Sequence, residues 1–260
     1  MKLELDFNTK PHIPKYLWAM LSIICIAIVI NQLPISWLSG YLSQKSACRI
    51  ILQQPMGSIW KGSASIGFSE SIPNKVDCPD PTAVTERFHW STVCNVRSLS
   101  CITKVDFSAL EKPMLITISF KHFNVAANEI KLPANILEAL GNPWRTLRPR
   151  GSLSARWADL SVGSNAAGTM HIIVNNFISP ISAVAPLGRY EIIANITPNG
   201  AHWNLSSSNG PLFLTGTGDL ADKEIHFSGE ASAAPEAEES LVGLLSLLGK
   251  KEGNIYRLKL

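Results

Sequence analysis

Few residues in this chain have types and spacing that could do chemistry. In the stretch GSIWKGSA (residues 57–64), Ser58 and Lys61 match S-x-x-K, the serine–lysine pattern of penicillin-interacting enzymes. That chemistry needs the pair one turn apart on a helix. Here Gly57 and Gly62 bracket the pair, a strand-like run follows, and no K-T-G or S-D-N is present. No G-x-S-x-G occurs either. His12, His89, His122, His171, His202 and His226 are scattered, without H-x-H or H-E-x-x-H spacing, so no metal centre is indicated. The closest carboxylates, Glu236, Glu238 and Glu239, fall in the first turns of an expected helix, where they complement its dipole. No catalytic residue, metal ligand or cofactor is therefore assigned, and an enzyme is not expected.

The elements that carry these residues follow from composition and pattern. Of 260 residues, 17% are charged and 46% hydrophobic. The chain is thus neither disordered nor all membrane, and long enough for one large domain or two small ones. The net charge of +3 is spread out, with no basic block, which argues against nucleic acid as a partner.

The N-terminus sets the compartment. No charge occurs from Tyr16 to Ile30, and eight residues of Leu17 to Ile30 are Leu, Ile or Val. They favour insertion by about 2 to 5 kcal/mol. Extended through Asn31, Gln32 and Leu33, a transmembrane anchor from Tyr16 to Ile35 reaches about 30 Å as a helix. Trp18 and Trp37 then lie near the two interfaces. Lys2, Lys10 and Lys15 place residues 1–15 in the cytoplasm and those after about 36 outside it. A cleaved signal peptide would need small residues after the apolar run, but NQLPISWLSGYL is bulky. In KSAC (residues 45–48), Lys45 stands where a lipoprotein site has an apolar residue.

Cys25 lies in the anchor. Cys48, Cys78, Cys94 and Cys101 lie outside the cytoplasm, where disulfides persist. Four cysteines allow three pairings. The stretch FHWSTVCNVRSLSCITKVDF (residues 88–107) reads as a hairpin whose turn, centred on Arg97 and Ser98, sets Cys94 opposite Cys101. Opposed strand residues have Cα atoms about 4.5 to 5.5 Å apart, inside the disulfide window. The expected pairs are therefore Cys94–Cys101 and, from the remainder, Cys48–Cys78. A zinc site would want a C-x-x-C pair, which is absent.

The rest reads as strands. RIILQQ (Arg49 to Gln54) and SASIGF (Ser63 to Phe68) flank the opening motif. Residues 113–132 hold one or two strands, and residues 152–162 and 168–178 form a pair around Gly163 and Ser164. From Arg189 to Ala234, turn signals at Pro198-Asn199-Gly200, Asn209-Gly210 and Leu220-Ala221-Asp222 punctuate four strands. Two short helices are expected, over Pro133 to Gly141 and Pro235 to Gly249. The fold class is mainly β: a single N-terminal transmembrane helix, then a β-meander region in two halves, 36–145 and 146–260. The terminal GNIYRLKL is a last strand or a loose tail.

The whole resembles the type II secretion system protein N family (general secretion pathway protein N). In that family an LP pair near the anchor precedes G-x-(I/L)-W-x-G-x-A. Here Leu33-Pro34 are followed by Gly57, Ile59, Trp60, Gly62 and Ala64. RPRGSLSARWADLSV is similar to the family's R-P-x-G-x-L segment. SPISAVAPLGRYEI resembles its A-P-L-G-x-Y segment, with Ala185, Pro186, Leu187, Gly188 and Tyr190. The blocks NGPLFLTGTGDL, GEASAAPEAEESL and LLSLLGKKEGNIYRL are similar to its terminal ones. The cysteine-bearing segment 78–101 departs from the pattern.

The resemblance implies a non-catalytic component of the machine that exports folded proteins across the outer membrane. It would sit in the bacterial inner membrane with its C-terminal region in the periplasm. Its partners would be other secretion components, the inner-membrane platform or the outer-membrane secretin, and the bilayer itself. The alternative is a half-open, AsmA-like β groove that handles lipid. Within the motif, Trp60 is expected to bury under the sheet, with Gly57 and Gly62 letting the backbone turn tightly around it.

Overall fold

The computed structural model describes residues 15–69, 78, 80–81, 83–95, 97–120, 122–142, 144–163, 165–221 and 224–259. His12, Lys2 and Lys10 lie outside the described residues. The chain starts with two helices, α1 (Lys15–Asn31) and α2 (Ile35–Lys45). Seven strands follow: β1 (Ile50–Gly57), β2 (Lys61–Phe68), β3 (Ala83–Val84), β4 (Phe88–Asn95), β5 (Ser100–Asp106), β6 (Met114–Ser119) and β7 (Phe123–Val125). Next come β8 (Asn128–Pro133), a 3-10 segment (Ala134–Leu140) and α3 (Trp144–Leu147). Then β9 (Arg150–Trp157), β10 (Leu160–Val162), β11 (Gly168–Ile178), β12 (Gly188–Thr197), β13 (Gly200–Asn209), β14 (Leu212–Ala221) and β15 (Glu224–Ala233) complete the meander. A 3-10 turn (Pro235–Ala237), α4 (Glu238–Leu248), β16 (Lys250–Glu252) and β17 (Ile255–Lys259) end it.

The protein is mainly β, as its patterning requires. The described strands form two antiparallel sheets. The first runs β1-β2-β4-β5-β6-β7-β10, with β3 beside β2; the second runs β16-β17-β15-β14-β13-β12-β11-β9-β8. The second sheet begins at β8, which pairs with the next strand, β9. One short strand crosses the chain order: β10 follows β9 yet pairs with β7 in the first sheet. The stretch 113–132, expected to hold one or two strands, holds β6, β7 and β8. A tight turn, in which Ser119 N–H donates to His122 O at 2.8 Å, splits the first two.

The expected anchor from Tyr16 to Ile35 is not one helix. α1 ends at Asn31, and Pro34 serves as the extended N-cap of α2 (φ −71°, ψ 144°). Proline lacks the N–H that a continuing helix needs and pushes the residue before it out of the helical region. Ile35, expected inside the span, is instead 4% exposed in the core of the first sheet with Ala64 and Trp90. Among the described residues no helix is long and apolar enough to cross a membrane. α2 itself was not expected.

The second sheet carries the larger core. One face presents Leu153, Val174, Tyr190, Leu212, Ala231 and Tyr256, all buried. α4 covers them with Leu241, Leu244 and Leu245, and the 3-10 segment and α3 add Ala134 and Leu147. The expected helix over 133–141 has the expected punctuation, Pro133 before it and Gly141 after it, but the tighter 3-10 form. The Tyr190 hydroxyl, buried here, donates toward Leu187 O (3.2 Å) and Leu212 O (3.0 Å), and burial raises its pKa above the ordinary tyrosine value. Beyond the helices the same face continues as one in-register row across six strands: Trp157, Met170, Ala194, Trp203, Gly218 and Phe227.

Candidate functional site

GSIWKGSA makes the turn between β1 and β2. Gly57 has φ +94°, and a Cβ there would lie 2.4 Å from Lys61 O, so only glycine fits. Ser58 N–H donates to Lys61 O at 3.0 Å. The Ser58 hydroxyl accepts from the backbone N–H of Trp60 and of Lys61, both at 3.3 Å. That hydroxyl closes a turn, and Lys61 is exposed at the start of a strand. The pair is not disposed on a helix as serine–lysine catalysis needs.

The turn is also a clasp. Ile59 N–H donates to Leu33 O at 3.1 Å, and Pro34 bridges Ser58 in antiparallel fashion. The two parts of the sequence resemblance, Leu33-Pro34 and GSIWKGSA, are therefore one physical unit that fixes the start of α2 to the first sheet. The other end of α2 is held covalently, because Cys48 bonds Cys78 with a Cα–Cα distance of 5.4 Å. Cys94 bonds Cys101 across the β4–β5 hairpin, where the two are direct partners in register. Cys25 is free and exposed.

Trp60 is half-buried, and Thr92 N–H donates to its carbonyl at 2.6 Å. The tryptophan at the centre of the first core is Trp90, 8% exposed. Its indole N–H donates to Ser58 O and Ile59 O, both at 3.2 Å. Gly62 thus accommodates a ring that arrives from β4, while Gly57 serves the turn itself. Sequence reasoning missed Trp90 because its contact depends on the pairing of Gly62 with Trp90, which no local pattern sets. The alternation Phe88-x-Trp90 was the available signal.

A second feature is a cleft of about 570 Å³ where the two sheets meet, with Phe68, Phe107 and Leu110 on one side and Lys131, Asn135 and Ile136 on the other. Nearby, Arg156 donates twice to Glu129 Oε2, at 2.9 and 2.6 Å. This guanidinium holds the Glu129 carboxyl below the ordinary carboxylate value. The remaining polar candidates stay apart. His171 meets Glu191 on the polar face of the second sheet, and His226 lies 3.9 Å from Glu224. Among the described residues no group of three His, Cys, Asp or Glu is placed to hold a metal ion. Glu238 and Glu239 stand in the first turn of α4, and Glu236 in the turn before it.

The described residues thus form two antiparallel sheets, with the start of α2 clasped to the first. A profile of the family described as type II secretion system (T2SS), protein N, matches residues 49–258. The chain belongs to that family and is a component of type II secretion. No curated protein and no solved structure matches it significantly. Of the two functional readings drawn from the sequence, this favours secretion over the lipid-handling groove.

Proposed function

We propose that the chain is a non-catalytic, inner-membrane-anchored component of the type II secretion machinery whose sheets contact other components in the periplasm. Residues 1–15 face the cytoplasm, α1 enters the bilayer, and residues after about 36 lie in the periplasm. The observation that carries this reading is α1. Leu17, Trp18, Met20, Leu21, Ile24, Ile28 and Val29 are all exposed along it, without a charge between Tyr16 and Ile30. Water does not solvate such a surface cheaply, whereas a bilayer does.

The 17 residues of α1 extend about 26 Å, a few ångströms short of the hydrocarbon core. Local thinning absorbs that at a fraction of a kcal/mol per ångström. The two disulfides suit an oxidising compartment. The partners are the inner-membrane platform or the outer-membrane secretin.

In-cell photo-crosslinking from exposed positions of both sheets, with identification of the captured proteins, tests the proposal. Platform or secretin subunits are expected. Capture of cytoplasmic proteins alone would overturn it.

A further inference from the structure

α2 has two unlike faces. Ile35 is buried, and Ser39, Leu42 and Ser43 are half-buried on the side toward β1. Trp37, Tyr41 and Lys45 follow at i, i+4 and i+8, one line on the side away from the sheet. Trp37 is 74% exposed and Tyr41 59%, with Leu38 beside them at 45%. Lys45 Nζ lies 5.8 Å from the centre of the Tyr41 ring. α2 contains no acidic residue.

We propose that α2 is an interfacial helix. It lies in the plane of the bilayer surface, with Trp37, Leu38 and Tyr41 in the headgroup layer and Lys45 directed to lipid phosphates. This rests on the anchoring of α1 argued above. Only Gln32, Leu33 and Pro34 separate the two helices, and three residues reach at most about 11 Å. A helix so close to the membrane must turn some face toward it. The face that the sheet leaves open carries the aromatic residues that belong at headgroup level, with a cation and no acid to repel anionic lipid. The clasp at Leu33-Pro34 holds the start of α2 to the first sheet, and β1 of that sheet begins five residues after α2 ends. Docking α2 therefore sets the angle of the sheets above the membrane, which a single spanning helix could not do.

The test uses the full-length chain in nanodiscs that contain anionic lipid. A nitroxide is placed on native Cys25, or, in a Cys25→Ser background, on Trp37→Cys, Tyr41→Cys or the exposed outer-face control Thr217→Cys. Collision with oxygen is compared with collision with a water-soluble nickel complex. Positions 37 and 41 should show an oxygen-to-nickel ratio several-fold above that at 217, approaching that at Cys25. A membrane-like ratio at Cys25 with water-like ratios at 37 and 41 would overturn the interfacial helix alone. A water-like ratio at Cys25 would overturn the anchor first, and the inference with it. Shielding of 37 and 41 only after other secretion proteins are added would assign the face to a protein, and so also overturn it.

Discussion

Gly62 and Trp90 are direct partners across β2 and β4, and the indole fills the space a side chain at 62 would need. A Cβ built at Gly62 would lie 2.5 Å from the ring and 2.4 Å from Met56 O. The motif is thereby organised around a tryptophan outside it. Trp90→Ala should cost about 3 to 5 kcal/mol, the range for emptying an aromatic core site. Gly62→Ala should cost about 1 to 3 kcal/mol through overpacking. Trp60→Ala should cost less than Trp90→Ala, because Trp60 is only half-buried. Urea unfolding of the three variants gives the order; a larger loss for Trp60 would reverse the assignment.

The two disulfides should differ in weight. Cys48–Cys78 closes a separation of 30 residues and Cys94–Cys101 one of 7. Loop entropy alone gives about 3.6 kcal/mol for the longer and about 2.4 kcal/mol for the shorter. Serine replacement of each pair, followed by denaturation, should show the larger loss at Cys48–Cys78, with α2 the first element to become protease-sensitive.

Glu129 and Arg156 should make stability depend on acid. The folded carboxyl sits below its ordinary value of 4.5, chiefly through the hydrogen bonds from Arg156. Between the two values the unfolded chain binds more protons. The contribution is therefore complete above the ordinary value and disappears as pH falls through the folded one. The stability gap between the native chain and Arg156→Gln should be widest above the ordinary carboxylate value and should close as pH falls through the lowered folded one. A gap independent of pH would show that Arg156 acts by packing.

Tyr190 tests the second core. Its hydroxyl serves two buried carbonyls, those of Leu187 and Leu212. Tyr190→Phe keeps the ring and its edge-on contact with Phe177, at 5.6 Å between centroids. The loss should thus be confined to the hydroxyl's own hydrogen bonding, about 0.5 to 1.5 kcal/mol, since Leu187 O still accepts from Leu212 N–H at 3.1 Å. Equal stability of the two proteins would mean that water replaces the hydroxyl.

The membrane topology has its own test. Alkaline phosphatase fused after residue 260 should be active in cells, since that enzyme needs export to form its disulfides. An active cytoplasmic reporter at the same site, or a mature N-terminus beginning after residue 36, would reverse the orientation.

Much of this protein was legible locally. Alternation and turn residues specify β12 to β15, because a two-residue period and a Gly-bearing turn act within one hairpin. The facing of Cys94 and Cys101 follows from the same short-range geometry. The family was legible too, since its motifs are strings. Three matters needed the tertiary structure. Pro34 stops α1 and starts α2, but only docking on Ala64 and Trp90 draws Ile35 out of the apolar run into a core. β10, which follows β9, joins the first sheet beside β7, since the pairing of so short a strand depends on what lies beside it in space. Gly62 of GSIWKGSA announces a close approach without saying by what. The answer, Trp90, is set by strand register, and register is a property of the sheet rather than of any stretch of sequence.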